Sequence, residues 1–198
     1  MFDCGATSVL NKKAVAKVLS RLPGFRKLGS FYIGTCNQEV ISGYALDAPP
    51  GGVYVSSFIL PAYDKIDFLH MSLGERIAQY PGNGPASDSA DLDFLLKNDW
   101  QDFSSARDCR SLMAYLDRER VVGDYCQWVK YLTYVRMGDL EFADRLESQW
   151  QSSHGPPRLQ LVAQNMHAVL EVKRRSGWRG VQELLTKWSE HTVTKFCQ

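Results

Sequence analysis

The sequence has almost no excess of charge of either sign. Its 198 residues contain 23 Lys and Arg against 22 Asp and Glu, a formal net charge of +1 at pH 7. Proteins that bind nucleic acid or membrane surfaces usually carry a marked basic excess, so the composition argues against both classes. An uninterrupted apolar run of about 18 residues, which a transmembrane helix needs, is also missing. We expect a globular protein that is not associated with a membrane.

Residues 1–5 lack the basic patch and apolar stretch of a signal peptide, so a cytoplasmic location is predicted. The five cysteines are odd in number and widely spaced, and no two form a Cys-x-x-Cys pair: Cys4, Cys36, Cys109, Cys126 and Cys197. A zinc site therefore has no support, and no metal is predicted. We expect reduced and mostly packed thiols in a reducing compartment.

Catalytic motifs are missing as well. The sequence has no phosphate-binding glycine loop, no Gly-x-Ser-x-Gly elbow and no His-Glu-x-x-His pair. No catalytic residue and no cofactor are predicted on this basis. A dispersed site leaves no motif, so a small enzyme with a site around His70, Asp67 and Arg76 stays open as one alternative. A half-buried structural role is the main interpretation of His70.

The first part of the chain predicts one helix and an antiparallel sheet. Residues 9–22 place apolar side chains at helical spacing, and Pro23-Gly24 ends that helix. Alternating patterns predict strands at 30–36, 40–46 and 53–60, with a fourth at 66–73. The connections are short, and the turn at 47–52 contains two prolines and two glycines, so neighbouring strands run antiparallel.

The second part of the chain is predicted to be helical. Apolar stripes occur within 122–132, 140–150, 159–169 and 178–188, and Gly138-Asp139 marks the turn of an αα-hairpin. The hairpin resembles one tetratricopeptide-type unit, but no second copy follows, so an ordinary hairpin is expected. The predicted fold class is α+β, with an N-terminal helix on a roughly four-stranded antiparallel sheet and an all-helical C-terminal half. The predicted divisions are an α+β lobe at 1–80, a linker at 81–87 and a helical lobe at 88–198.

Two charged segments invite functional interpretations. The acidic stretch 88–102 is either a solvated helix face or a surface that meets a basic partner. Trp100 lies within it, and an exposed aromatic among acidic residues is typical of an interface anchor. The predicted partner-binding residues are Asp91, Asp93, Asp99, Trp100 and Asp102.

The basic cluster at 173–179, with Trp178 inside it, has the composition of a nucleic-acid contact. The same charges also complement a helix dipole, and the chain has no basic excess, so nucleic-acid binding is not expected.

One segment carries a family resemblance. Residues 54–76 read YVSSFILPAYDKIDFLHMSLGER, in which a strand ends in proline and a Gly-x-Arg closes the unit. The segment resembles an uncharacterised bacterial α+β family, some of whose members are similar to immunity proteins of polymorphic toxin systems. The matching residues are Phe58, Pro61, Leu73, Gly74 and Arg76. The resemblance implies a protein that binds and silences a cognate toxin, and it implies no catalytic residues.

The residues of this segment also have a structural interpretation. Gly74 would permit a turn with positive φ, and Arg76 would cap a helix or pair with Asp64 or Asp67. For the whole chain, the leading prediction is a non-enzymatic binding protein of the immunity or antitoxin kind that occludes a toxin. The alternatives are a helical adaptor that binds another protein, and the small enzyme named above.

Overall fold

A computed structural model describes residues 12–81, 92, 96–98, 100, 105–118, 123–149 and 157–198. Its elements, in chain order, are α1 (Lys12–Leu19), β1 (Arg26–Leu28), β2 (Phe31–Cys36), β3 (Val40–Asp47), β4 (Gly52–Pro61), β5 (Arg76–Pro81), α2 (Cys109–Arg118), α3 (Asp124–Met137), α4 (Leu140–Gln149) and α5 (Pro157–Phe196). The predicted α+β class is confirmed: a helix precedes an antiparallel sheet, and helices follow it.

The sheet has five strands in the order β1-β2-β3-β4-β5, so each strand pairs with its neighbours in the chain. The strand expected at 66–73 is not formed; that segment consists of turns and bends. The apolar pattern of this segment reflects three side chains that are buried without forming a strand: Ile66, Leu69 and Leu73. Pro61 ends β4, and β5 pairs with β4 instead. β1 was missed because three residues are too few to show alternation.

Two compact units divide the chain. The first comprises residues 1–35, 42–59 and 74–105, and the second comprises 36–41, 60–73 and 106–198. The linker predicted at 81–87 lies outside the described residues apart from Pro81, which ends β5, so that boundary stays a prediction.

The first unit is built around α1. Val15 and Leu19 are fully buried on one face of α1, as the helical spacing predicted. They belong to an apolar cluster with Tyr32, Tyr44 and Val55 from the strands. The Tyr44 hydroxyl donates to the Leu96 carbonyl oxygen at 2.9 Å, so its polar atom is satisfied inside the cluster.

Gly74 is required by a close approach of two backbones. A Cβ at Gly74 would overlap the carbonyl oxygen of Ser57, and the Ser57 N–H donates to the Glu75 carbonyl at 2.8 Å. The backbone of Gly74 does not have the expected positive φ, so that expectation is wrong; the missing side chain, not the dihedral angle, matters here.

The second unit contains the predicted αα-hairpin, formed by α3 and α4. Gly138 ends α3 with φ 80°. The Gly138 N–H donates to the Val135 carbonyl oxygen at 3.1 Å, and the Asp139 N–H donates to the Tyr134 carbonyl oxygen at 2.9 Å. This pair of hydrogen bonds is the Schellman motif. The last two predicted stripes lie in α5, which consists of two helical segments that meet at a kink at Gly177, where φ is 62°.

One cysteine prediction is wrong. Cys36, at the end of β2, and Cys197, directly after α5, form a disulfide with Cα atoms 5.6 Å apart. A separation of 161 residues hid this pair from any reading of local spacing. Cys109 and Cys126 are buried thiols outside the disulfide, as expected of packed cysteines. Within the described parts of the chain, every helix is too short or too polar to cross a membrane.

Candidate functional site

The structure bears unevenly on the predicted partner-binding residues. Asp91, Asp93, Asp99 and Asp102 lie outside the described residues, so their role stays a prediction. Trp100 is half-buried, not freely exposed. Its ring packs edge-on against Phe25, with centroids 4.5 Å apart, and tilts against Tyr44 at 6.0 Å.

Long-range packing decides the environment of Trp100, and its role as an interface anchor stays a prediction. A Cβ at Gly34 would collide with its ring. Trp100 therefore packs against the apolar cluster of the first unit, whatever further role it has in binding.

The basic cluster is largely neutralised by acidic neighbours. Lys173 Nζ lies 2.6 Å from Asp144 Oδ1 and 2.8 Å from Glu147 Oε2. The same Nζ lies 4.0 Å from the centre of the Trp178 ring. Arg175 pairs with Glu171, and Arg179 pairs with Glu183, each one helical turn away. These pairs explain the cluster as part of the packing of α4 and α5 and of the surface of α5.

A buried carboxylate, Asp64, helps to attach the loop between β4 and β5, residues 62–73, to the helices of the second unit. Asp64 is only 2% exposed. It accepts hydrogen bonds from the Tyr125 hydroxyl at 3.0 Å, from Trp128 Nε1 at 3.1 Å and from Asn165 Nδ2 at 3.1 Å. The Thr192 hydroxyl donates to the Asp64 carbonyl oxygen at 3.1 Å. The 62–73 loop is thus fixed to α3 and α5.

Burial governs the ionisation of Asp64. Removal from water raises the pKa of this carboxyl, and the hydrogen bonds from Trp128, Tyr125 and Asn165 act in the opposite direction. The pKa of the Tyr125 hydroxyl is also raised, first by burial and then by the neighbouring Asp64. Tyr125 therefore stays protonated and remains a donor to the carboxylate.

A small cavity lies beside Asp64. Its volume is about 20 Å³, and its lining includes Phe68, His70 and Tyr125. The His70 ring is half-buried and lies edge-on to Tyr125, with centroids 4.8 Å apart. Such a volume holds about one water molecule and is too small for a substrate.

The three residues of the proposed dispersed site have separate environments. Asp67 faces Lys195, with Nζ 3.6 Å from Oδ1. Arg76 lies over the Tyr54 ring at 4.5 Å and donates to Gln79 at 3.3 Å, so the expected helix cap or Asp pairing of Arg76 is wrong. The partners expected for Arg76 are already used: Asp64 is surrounded by its own donors, and Asp67 faces Lys195.

The 62–73 loop presents two large apolar side chains to solvent. Phe68 is 56% exposed and Met71 is 41% exposed. We call Phe68 and Met71 the loop patch. The prediction missed it because the alternation at 66–73 was interpreted as a strand. A usable signal was present: five apolar residues fall within these eight positions, more than one buried face of a strand can take up.

A second polar cluster surrounds Glu39, in the turn between β2 and β3. Glu39 accepts from Arg136 Nη2 at 2.8 Å and from the Cys109 thiol at 2.8 Å. Arg136 Nη1 also donates to Thr186 at 2.9 Å. An open cleft of about 510 Å³ is lined by Glu39, Cys109 and Arg136 together with Asp108, Arg110 and Met137.

The chemistry of this cleft does not favour a nucleophile. Burial, followed by the neighbouring Glu39, raises the pKa of the Cys109 thiol to about 12. A reactive cysteine needs a lowered pKa, so Cys109 stays protonated and packed. Among the described residues, no group of three or more His, Cys, Asp or Glu side chains is placed to hold a metal ion.

Comparisons with protein families, with curated proteins and with solved structures find no match to this chain. The relationship to immunity proteins therefore stays a prediction that depends on residues 54–76. The loop patch lies within that same segment.

Proposed function

We propose that this protein is a non-enzymatic binding module that inhibits a cognate bacterial toxin by covering its active site. The observation that supports this proposal is the loop patch, in which Phe68 and Met71 are exposed on a firmly attached loop. Aromatic and methionine side chains are enriched at protein interfaces. The patch lies within the segment that resembles the uncharacterised bacterial α+β family, some of whose members are similar to immunity proteins.

The attachment of the 62–73 loop makes the patch suitable for binding. Three side chains hold Asp64, and the Tyr63 hydroxyl bonds to Thr133 at 2.7 Å. A loop that is already ordered loses little conformational entropy when it binds. The exposed apolar area of Phe68 and Met71 can then contribute to affinity with little opposing cost.

The polar groups of the second unit further favour binding over catalysis. Asp64 is enclosed by donors, Cys109 is held as a neutral thiol, and Glu39 is occupied by Arg136. Each of these groups serves the fold in the present geometry. The proposal therefore assigns them structural roles and leaves recognition to the surface.

The acidic segment supplies the second part of the proposal. Toxin nucleases are often basic, and negative charge on an inhibitor would steer such a partner and raise the association rate. We assign this contribution to Asp91, Asp93, Asp99 and Asp102. Trp100 is assigned to the same contact. Its substitution would also disturb the packing of the first unit.

The cellular location is part of the proposal. The sequence predicts the bacterial cytoplasm, where a toxin-producing cell would need protection. The Cys36–Cys197 disulfide weighs against a permanently reducing compartment, because disulfides persist mainly where the environment is oxidising.

The test combines capture with neutralisation. A tagged protein is purified from its own cell at low and moderate salt, and any stoichiometric partner is identified by mass spectrometry. The partner gene is then expressed alone and together with this protein, and survival is counted. We expect toxicity from the partner alone and survival on co-expression. A partner that is harmless alone would contradict the inhibitor proposal and favour the adaptor alternative.

Two matched variants examine the loop patch. Phe68→Ser should weaken binding of the partner at least tenfold, about 1.4 kcal/mol, because a large apolar contact is lost. Phe142→Ser is the control, since Phe142 is also an exposed phenylalanine, at 42%, in the same unit. Equal affinity losses in the two variants would remove the loop patch from the interface.

Charge reversal tests the acidic segment separately. Reversing Asp91, Asp93, Asp99 and Asp102 should slow association and reduce the dependence of the rate on salt. An unchanged association rate would exclude this segment from the contact.

A further inference from the structure

We propose that the Cys36–Cys197 disulfide is a reversible thiol latch that fastens the end of α5 to the turn that carries Glu39. Opening the latch would loosen that turn, and with it one wall of the open cleft, while the rest of the fold persists. This inference goes beyond the proposed function and does not depend on it.

The latch joins α5 to a turn that hydrogen bonds also hold. Cys36 is the last residue of β2, and the turn 37–39 follows it directly. Within the turn, Asn37 Oδ1 accepts from the Glu39 N–H at 2.8 Å and from the Val40 N–H at 2.7 Å. The Ser189 hydroxyl donates to the Gln38 carbonyl at 2.5 Å. Glu39 in turn holds the cleft residues Cys109 and Arg136.

Contacts other than the disulfide also hold α5 in place. Three side chains of α5 are buried within the second unit: Val181, Leu185 and Phe196 are 0%, 0% and 6% exposed. Thr192 is fully buried and bonds to the Asp64 carbonyl oxygen at 3.1 Å. These contacts should preserve a folded reduced state, which a reversible latch requires.

The disulfide is also the accessible sulfur centre of the second unit. Both Cys36 and Cys197 are half-buried, so a small thiol can reach them. Cys109 and Cys126 are 8% and 3% exposed. Burial raises the pKa of both thiols, which keeps them out of thiol–disulfide exchange.

The exchange consumes a low-molecular-weight thiol of the glutathione type. A thiolate of the reductant attacks one sulfur, forms a mixed disulfide and releases the other sulfur as a thiolate, which takes up a proton. A second reductant molecule then displaces the protein sulfur. In total, two protein thiols form, and two reductant molecules are oxidised to one disulfide, with two electrons and two protons transferred.

The experiment compares the oxidised and reduced full-length protein. All measurements use a Cys4→Ser background, because Cys4 lies outside the described residues. Dithiothreitol reduces the protein, alkylation and mass spectrometry establish the state of each cysteine, and hydrogen exchange maps protection. We expect unchanged helical circular dichroism, at least tenfold loss of protection at 37–40, and faster alkylation of Cys109. Glutathione redox buffers should convert the two forms in both directions.

Variants separate the latch from a purely structural disulfide. Cys36→Ser with Cys197→Ser should reproduce the reduced pattern without reductant, and Cys197→Ser alone provides a second version if Cys36→Ser disturbs β2. Cys126→Ser is the control and should keep the latch intact. Global unfolding on reduction would overturn the proposal, as would unchanged protection of the turn, or failure of the bond to re-form in oxidising glutathione buffer.

Discussion

Asp64 offers the sharpest test of how the 62–73 loop is held. Its two carboxylate oxygens divide the work: Oδ1 accepts from Trp128 and Asn165, and Oδ2 accepts from Tyr125. Asp64→Ala removes both acceptor oxygens and with them all three hydrogen bonds. Asp64→Asn keeps the shape, retains the oxygen that faces Trp128 and Asn165, and presents an amide to a Tyr125 hydroxyl that can rotate to accept.

The magnitudes of the two changes should differ clearly. Each buried donor left without an acceptor costs about 1–3 kcal/mol, and Asp64→Ala strands three of them. The adjoining cavity of about 20 Å³ can admit a water molecule that satisfies part of the loss. We therefore expect Asp64→Ala to lower the free energy of unfolding by about 3–5 kcal/mol, and Asp64→Asn to change it by less than about 1.5 kcal/mol near pH 4.

The stability difference between the wild type and Asp64→Asn should change with pH in a defined direction. The folded-state pKa of Asp64 is raised above its ordinary value of 3.8, so the folded protein holds this proton more tightly than the unfolded chain does. The resulting stability is fully present below pH 3.8 and is lost as the pH rises through the folded-state pKa. Asp64→Asn has no proton to lose, so it should gain on the wild type as the pH rises and converge with it in acid.

Urea denaturation, followed by tryptophan fluorescence at several pH values, measures these differences. Asp67→Asn is the matched control, because Asp67 lies in the same loop with an exposed side chain and a 3.6 Å approach to Lys195. Its effect should stay within about 0.5 kcal/mol. A loss below 1 kcal/mol for Asp64→Ala, or an Asp64→Asn variant that falls behind the wild type at neutral pH, would refute the reasoning.

Three further predictions follow from single contacts. Gly74→Ala should cost about 2–4 kcal/mol in urea denaturation because its Cβ overlaps the Ser57 carbonyl, whereas Gly51→Ala, with open space around it, should be neutral within about 0.5 kcal/mol. Gly138→Ala should cost about 1 kcal/mol in thermal or urea unfolding, because φ is 80° there; a neutral result would contradict the left-handed ending of α3. Cys109, with a pKa of about 12, should resist iodoacetamide at pH 8 in the oxidised native protein and react on unfolding, as peptide mapping would show.

Local patterns predicted the helical half of this fold well. Val181, Leu185 and Trp188 recur at helical spacing, and all three are buried on α5. The turn at Gly138 and Asp139 depends on local residues alone, since a glycine with positive φ ends a helix without contacts from distant residues. Such features depend on neighbours within a few positions, and that is the range over which a sequence pattern is informative.

The features that escaped prediction depend on partners far away in the chain. Trp100 is placed by Phe25 and Tyr44, and Cys36 is placed by Cys197. The acidic neighbours of Trp100 suggested an exposed side chain, but contacts with Phe25 and Tyr44, which are distant in sequence, leave it half-buried. The predicted pairing of Arg76 failed as well, because its guanidinium lies over the Tyr54 ring on the adjacent strand.

The 62–73 loop shows why such long-range placement matters for function. Its apolar pattern resembles a strand, yet its backbone is fixed by residues 61 to 128 positions away from Asp64. An edge strand would have placed alternate side chains on the core and left an open hydrogen-bonding edge. The loop instead buries Ile66, Leu69 and Leu73 and turns Phe68 and Met71 outward. Asp64 thus keeps two apolar side chains exposed at fixed positions, and under the proposed function its loss should weaken partner binding as well as stability.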